Sequence, residues 1–342
     1  GKASRKAFLA KFYGKNGQKL ELKTKEETDA VLAALEGAAF TVGKIKRGIR
    51  KKSPAPPFTT STMQQEASRK LNFQSRRTMK AAQELYEGVE IKGMGAVGLI
   101  TYMRTDSLRI SDEARAAASA YISERYGQEY LPESPRIYKS RGNAQDAHEA
   151  IRPTMPELSP DQVKESLSSD QYKLYKLVWE RFIASQMANA EYNTVAADIN
   201  AADYLFKASG FTVRFDGFTV LYVEGRDDEE EKEGALPRMG EGDPVKVAAL
   251  AGSQHFIQPP ARFTEASLIK VLEENGIGRP SAYSPTITTI LDRHYIEREG
   301  KQLKPTALGE ITTTLMKEHF STVVDAAFTA RMESDLDLVG EG

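Results

Sequence analysis

The spacing of hydrophobic and polar positions changes several times along the chain. Residues 7–13 and 19–23 flank Asn16-Gly17, a pair whose tolerance of positive φ is the strongest short hairpin signal. Thr24 and Glu27 make a capping box ahead of Val31, Leu32 and Leu35, which predicts a short helix before a strand near 40–45. The run Lys51-Lys52-Ser53-Pro54-Ala55-Pro56-Pro57 closes this region, because its prolines continue neither a helix nor a central strand.

From 58 to 187 the period is mostly helical. Ser61 and Gln64 stand at capping-box spacing with Met63, Ala67 and Leu71 on one face. Ser75 starts another helix that Gly88 stops, and further helices are predicted over 112–126, closed by Gly127, and 170–187, where Leu174, Leu177, Val178 and Phe182 form an apolar stripe with Trp179 beside it. Residues 192–223 switch to short β-rich runs, 194–199, 204–208, 211–215 and 218–223, divided by Gly210 and Asp216-Gly217, and 245–250 reads as one more strand.

β-rich sequence therefore lies on both sides of a helical block. The expected fold is α+β and multidomain: a discontinuous β-rich domain from 1–52 and 189–258, an inserted, mainly helical domain over 53–188, and a last domain over 259–342. In that last part Thr264 opens a helix that Gly276 ends, Ser281 introduces a second, and two short β runs follow around Gly300. Helix, glycine turn, helix and β-hairpin is the order of a winged helix-turn-helix.

Composition narrows the class. With 40% hydrophobic and 28% charged residues the chain is an ordinary globular sequence, and no run approaches a membrane span. Gly1 to Lys6 holds no apolar signal core. The absence of cysteine excludes disulfides, thiolate metal sites and cysteine nucleophiles; a cytoplasmic location is expected. The net charge of −1 hides a segregation, with 14 Lys and Arg against 5 Asp and Glu in 1–52, enough for a surface that faces phosphate. Residues 224–243 carry 9 acidic against 3 basic side chains and read as a solvated loop.

Candidate chemistry centres on Tyr102-Met103-Arg104, which follows the glycine-rich stretch 93–98. In an extended strand Tyr102 and Arg104 share a face. A phenol beside a guanidinium suits attack on phosphorus, since the cation holds the phosphate and stabilises its developing charge; an edge-strand tyrosine with a surface arginine is the structural alternative. His148 and Arg152 stand at i, i+4 spacing, although Pro153 pushes Arg152 away from the α conformation. His255, His294 and His319 lack metal-ligand spacing. Glu333, Asp335 and Asp337 look like an acidic metal triad, but Met332, Leu336 and Val339 mark the segment as an amphipathic helix with a charged surface.

Four segments taken together resemble the bacterial type IA DNA topoisomerase family. They are Pro57-Phe58-Thr59-Thr60-Ser61-Thr62-Met63-Gln64-Gln65, the run from Gly98 to Ser107, the run from His148 to Pro153, and Gly276-Ile277-Gly278-Arg279-Pro280-Ser281, in the family's order and at about its spacing. The resemblance implies a toroidal enzyme core with a β-rich arch. Its activity would be relaxation of negatively supercoiled DNA by cutting one strand, passing another and resealing. It assigns Tyr102 as the nucleophile that takes the 5′-phosphate and Arg104 as its phosphate-stabilising neighbour. DNA binding falls to His148, Arg152, Arg279, Ser281 and Arg293. No ATP is implied, because the phosphotyrosine conserves the energy of the broken diester. DNA that is single-stranded or underwound is the expected partner, and a monomer the expected state.

Two departures from the family pattern stand out. Ala282 and Ser284 occupy positions where Arg-Pro-Ser-Thr-Tyr-Ala is usual. The family's amino-terminal Toprim domain, with the acidic cluster expected to bind Mg²⁺, is not within these residues, so this piece alone is expected not to relax DNA. Two other readings remain open. A winged-helix DNA-binding module without catalysis would use 281–291 in a major groove. A tyrosine recombinase or type IB topoisomerase also sets Tyr and Arg on phosphorus, but with its basic residues, including a His-x-x-Arg motif, before the tyrosine, whereas here Tyr102 precedes His148 and the spacing to Arg152 is His-x-x-x-Arg.

Overall fold

The computed structural model describes residues 7–140, 148–225, 234–256 and 259–341. Asn16 and Gly17 take φ of 52° and 75° and fold β1, Lys11–Lys15, back on β2, Gln18–Lys19, as a two-residue hairpin turn requires. Thr24 caps α1, Lys25–Ala34, by accepting the Glu27 N–H. β3 then runs from Phe40 to Lys52. The first helices of the next stretch are α2, Thr60–Leu71, and α3, Ser75–Glu87. The capping box of α2 is made by Thr59 and Thr62, not by Ser61 and Gln64. The glycine-rich stretch forms a small hairpin of β4, Val89–Ile91, and β5, Gly95–Val97. α4, Asp112–Tyr126, lies between a Ser111 cap and Gly127. The single turn α5, Pro160–Val163, precedes α6, Ser169–Ser185, whose Ser168 and Gln171 form a capping box.

Two long strands follow, β6 over Ala190–Ala201 and β7 over Tyr204–Phe215, in place of the three short runs expected over 194–215. Gly210 does not break β7. A Cβ there would lie 2.4 Å from the Gly234 carbonyl oxygen, so glycine serves a close chain crossing. Residues 218–223 are not a strand: Gly217–Val220 is a 3₁₀ turn. Burial explains the switch, because the Tyr222 hydroxyl donates to the buried Glu66 carboxylate at 2.5 Å and the Gly225 N–H reaches the same group at 2.9 Å. Of the acidic run, residues 226–233 lie outside the described residues, as do Gly1 to Lys6. Only Pro244–Val245, β8, pairs where a strand to 250 was expected. The chain ends with α7 (Glu265–Glu274), α8 (Tyr283–Asp292), the hairpin β9 (Ile296–Glu299) and β10 (Gln302–Pro305), α9 (Ala307–His319) and α10 (Ala326–Glu341).

The chain forms two compact units. One holds the residues before Ser53, Asn189–Asp216 and the stretch ending at Pro259; the other holds the rest. The first is an antiparallel sheet in the order β2-β1-β7-β6-β3-β8. One face packs Val42, Ile199 and Phe206 against Val31 and Leu35 of the α1 region. A bulge between Val42 and Ile45 shifts the alternation of β3. Beyond it the odd positions continue the core face, and Lys46, Gly48, Arg50 and Lys52 take the opposite face.

In the second unit α6 supplies a buried stripe of Leu174, Val178 and Phe182, and the Trp179 indole N–H donates to the Pro156 carbonyl at 2.9 Å. Two carboxylates fasten α7. Buried Glu265 accepts the Ser75 N–H at 2.7 Å and hydroxyl at 2.6 Å and pairs with Arg298, which sets a negative charge at the N-terminus of α3. Glu273 accepts the Ser61 hydroxyl at 2.8 Å.

Candidate active site

Tyr102 sits on an irregular segment held on both sides by threonines. On the leading side, the Thr101 hydroxyl donates to the Ala150 carbonyl at 2.7 Å and accepts the Arg152 N–H at 3.0 Å, while the Thr101 N–H bonds to the Arg152 carbonyl at 2.9 Å. On the trailing side, buried Thr60 at the start of α2 donates its hydroxyl to the Met103 carbonyl at 2.7 Å and accepts the Thr105 N–H at 2.8 Å. The backbone therefore bends at 103–104 instead of continuing as the expected strand. Ile100 and Met103 anchor the bend in the core.

Because of this bend, a helix and not a shared strand face unites Tyr102 with Arg104. Gln83 and Tyr86 stand three residues apart on α3 and so share one face. Tyr86 meets the Tyr102 ring edge-on at 5.4 Å between centroids, and the Gln83 carbonyl oxygen accepts from Arg104 Nη1 at 3.2 Å. Gln83 is itself oriented by donating its amide to Glu87. On its other side the Tyr102 ring stacks on His148, 5.1 Å away with 29° between the planes. Gly98 permits the approach to α3: a Cβ there would lie 2.7 Å from the Tyr86 carbonyl oxygen.

Tyr102 is half-buried and Arg104 exposed. Arg104 makes no ion pair with a described residue, so most of its five donors stay open to a ligand. A half-sheltered phenol, an imidazole on its face and an open guanidinium make a set able to receive a phosphodiester.

The other predicted residues are placed differently. His148 and Arg152 are not helical neighbours; Ile151 and Pro153 form extended bridges to Phe58 and Ile100. Arg152 turns to Glu149, with Nε 2.6 Å from the carboxylate, and to the Pro153 carbonyl. Arg279, in the turn after α7, donates through Nε to Asp337 at 3.2 Å, pairs with it again through Nη2, and lies 3.7 Å from Glu333. Its hydrogen bond to Asp337, then that charge and Glu333, raise its pKa. Glu333 and Asp337, four residues apart on α10, thus hold one cation. Ser281 is exposed in the turn and does not cap α8, whose N-cap is Ala282. Arg293 is exposed at the end of α8. Among the described residues no hydrogen bond, ion pair or ring contact joins Arg279, Ser281 or Arg293 to Tyr102.

Four residues at the site were not singled out from sequence as site residues: Thr60, Gln83, Tyr86 and Thr101. The signal for Gln83 and Tyr86 was their helical spacing beside the tyrosine segment; Thr60 and Thr101 act through bonds to distant residues, which spacing does not reveal. Nearby Tyr283 is buried, and that burial, with Glu273 adding to it, pushes its pKa up to about 12.

A sequence model of the DNA topoisomerase family matches residues 3–342. Among solved structures, full-length topoisomerase I from Thermotoga maritima is 36% identical, superposes with a TM-score of 0.83, and is matched over 98% of this chain and 53% of its own. The chain thus spans about half the length of that relative.

Proposed function

The chain belongs to the bacterial type IA DNA topoisomerase family, and from that premise we propose that it supplies the tyrosine-bearing core of an enzyme that relaxes negatively supercoiled DNA. The observation that carries the proposal is the Tyr102 ring fixed between His148 and Tyr86, next to an Arg104 that no carboxylate among the described residues pairs with.

The Tyr102 phenolic oxygen attacks the scissile phosphorus and gives up its proton. A bond forms from phosphorus to Tyr102, the bond to the 3′-oxygen breaks, and that oxygen takes a proton and leaves as a free hydroxyl. Arg104 stabilises the charge that builds on the equatorial oxygens. His148 orients the phenol by stacking and presents ring nitrogens to the DNA. Resealing is the reverse step: one phosphodiester bond is exchanged for another of similar energy, so no nucleotide is consumed.

Magnesium, which the family resemblance implies, finds no fitting group among the described residues: no three or more His, Asp or Glu there could hold a metal ion. No step above passes through one, and we assign its ligands to a part of the protein outside this sequence. Arg279, Ser281 and Arg293 are proposed to bind the unpaired strand, with phosphate displacing Asp337 and Glu333 from Arg279.

Covalent capture tests the proposal. End-labelled single-stranded DNA is mixed with the chain and magnesium, with and without a Toprim-containing segment of the family, then denatured. Label on protein only with the added segment, and only when Tyr102 is present, is expected. Absence of label in both mixtures, with duplex preferred over single strand, overturns the nucleophile assignment.

A further inference from the structure

The basic excess at the start of the chain is not used by the Tyr102 site, and the sheet shows where part of it goes. β3 carries six cations, Lys44, Lys46, Arg47, Arg50, Lys51 and Lys52, and no carboxylate. The two faces beyond the bulge differ in how this charge is met. On the core-side face Lys51 and Arg214 both reach Glu191, at 3.1 and 3.5 Å. On the opposite face Lys46 and Lys52 have no carboxylate partner among the described residues. Arg50 lies over the Tyr192 and Phe211 rings, 5.4 and 5.1 Å from their centroids. Cations thus recur along about 20 Å of strand, at about 3.3 Å per residue.

Gly48 lies between Lys46 and Arg50 on that face. Its φ is not positive, and among the described residues an added Cβ would meet only Thr194 Oγ1, at an ordinary 3.4 Å. Neither backbone conformation nor packing requires glycine there, although glycine weakens a strand and marks places where a ligand comes close. Across the sheet the floor stays low, with Thr194 opposite Gly48 and Ala196 opposite Lys46. A rail of cations along a flat floor, with Tyr192 and Phe211 beside it, has the parts of a single-strand platform: charge for the backbone and rings or a guanidinium plane for unpaired bases. A duplex keeps its bases stacked inside and would use only the charge.

We infer that this outer face of the β3-β6-β7 sheet is a second DNA-binding site, which holds an unpaired strand through Lys46, Arg50 and Lys52 with bases against Tyr192 and Phe211. It adds a contact to the reading above and does not involve Tyr102 or Arg279.

The test uses the full chain carrying Tyr102→Phe, to exclude cleavage, and a fluorescein-labelled oligo-dT strand titrated at several salt concentrations. Lys46→Gln with Lys52→Gln is expected to weaken binding several-fold and to reduce the slope of log K against log salt by about 1.4, at about 0.7 per phosphate contact. Gly48→Val is expected to weaken binding at least about three-fold while the melting temperature holds or rises, since valine favours strands; a merely structural glycine would give the opposite pattern. Ultraviolet cross-linking followed by peptide mapping is expected to place adducts on Tyr192 or Phe211. An unchanged slope in the double variant, adducts only outside the sheet, or an equal loss of affinity for a duplex of the same length each overturns the inference. Arg279→Ala, measured in parallel, reports on the other site, so failure of either site is read separately.

Discussion

Arg104 and Arg279 both stand in segments that mark the family, yet they are held in opposite ways. Among the described residues Arg104 donates to one neutral amide, that of Gln83, and pairs with no carboxylate. Arg279 is closed in by Asp337, Glu333 and the carbonyls of Gly276 and Gly278. A phosphate that reaches Arg104 has no described carboxylate to remove, whereas one that reaches Arg279 replaces a carboxylate. The first geometry suits a site that stabilises a fleeting charge, and the second one that binds and releases a strand by exchange.

Breaking the open site gives the largest effects. Tyr102→Phe abolishes the covalent adduct in the complemented capture assay. Arg104→Ala slows cleavage by about 10²–10³-fold, the usual cost of losing one preorganised stabiliser of developing charge, and Arg104→Lys recovers little because an ammonium lacks the planar fork; single-turnover rates check both. Removing the clamp while leaving the chemistry alone comes next. Thr60→Val leaves the Met103 carbonyl and the Thr105 N–H without their partner and lowers stability by about 1–3 kcal/mol, read by denaturant unfolding, while Thr60→Ser keeps it. Opening the closed site has a smaller effect of opposite sign. Asp337→Asn with Glu333→Gln raises affinity for a labelled single strand by up to about five-fold, since part-exposed ion pairs are worth at most about 1 kcal/mol; if Arg279 plays no part in binding, affinity stays flat. The smallest effect belongs to Tyr283. Its folded pKa of about 12 exceeds the ordinary value of 10.0, so its contribution to stability is complete below pH 10 and is lost as pH rises towards 12. The melting temperature falls across that window, and Tyr283→Phe makes the fall shallower.

Elements with local punctuation were legible in the sequence. The Asn16-Gly17 hairpin, α4 between Ser111 and Gly127, and the helix-turn-helix around Gly276 stand where their caps and turns put them. Errors arose where a distant partner overrides the local signal. Gly210 reads as a break but is a crossing point; 218–223 reads as a strand but is drawn into a turn by Glu66; the bend at 103–104 is imposed by Thr60, more than forty residues earlier. Tyr102 was singled out by the four family-like segments more than by its spacing from Arg104, since the shared strand face that spacing predicts is removed by the bend. Gln83 and Tyr86, which bring them to one place, carry no chemistry of their own to announce them.

The β4-β5 hairpin has a pinched neck: the Leu99 N–H bonds to the Leu85 carbonyl at 2.8 Å, and Gly98 presses on the Tyr86 backbone. Val89 to Val97 therefore leave and rejoin the chain at one neck; buried Ile91 and the Lys92 N–H, 3.5 Å from the Ser166 hydroxyl, seat the hairpin, while the Lys92, Gly93 and Met94 side of its tip is exposed. Such a tip can grow or shrink without shifting the register of the Tyr102 segment. A reporter peptide grafted at Gly93 would sit beside the chemistry yet outside its geometry, which makes this tip the natural port for engineering and for divergence.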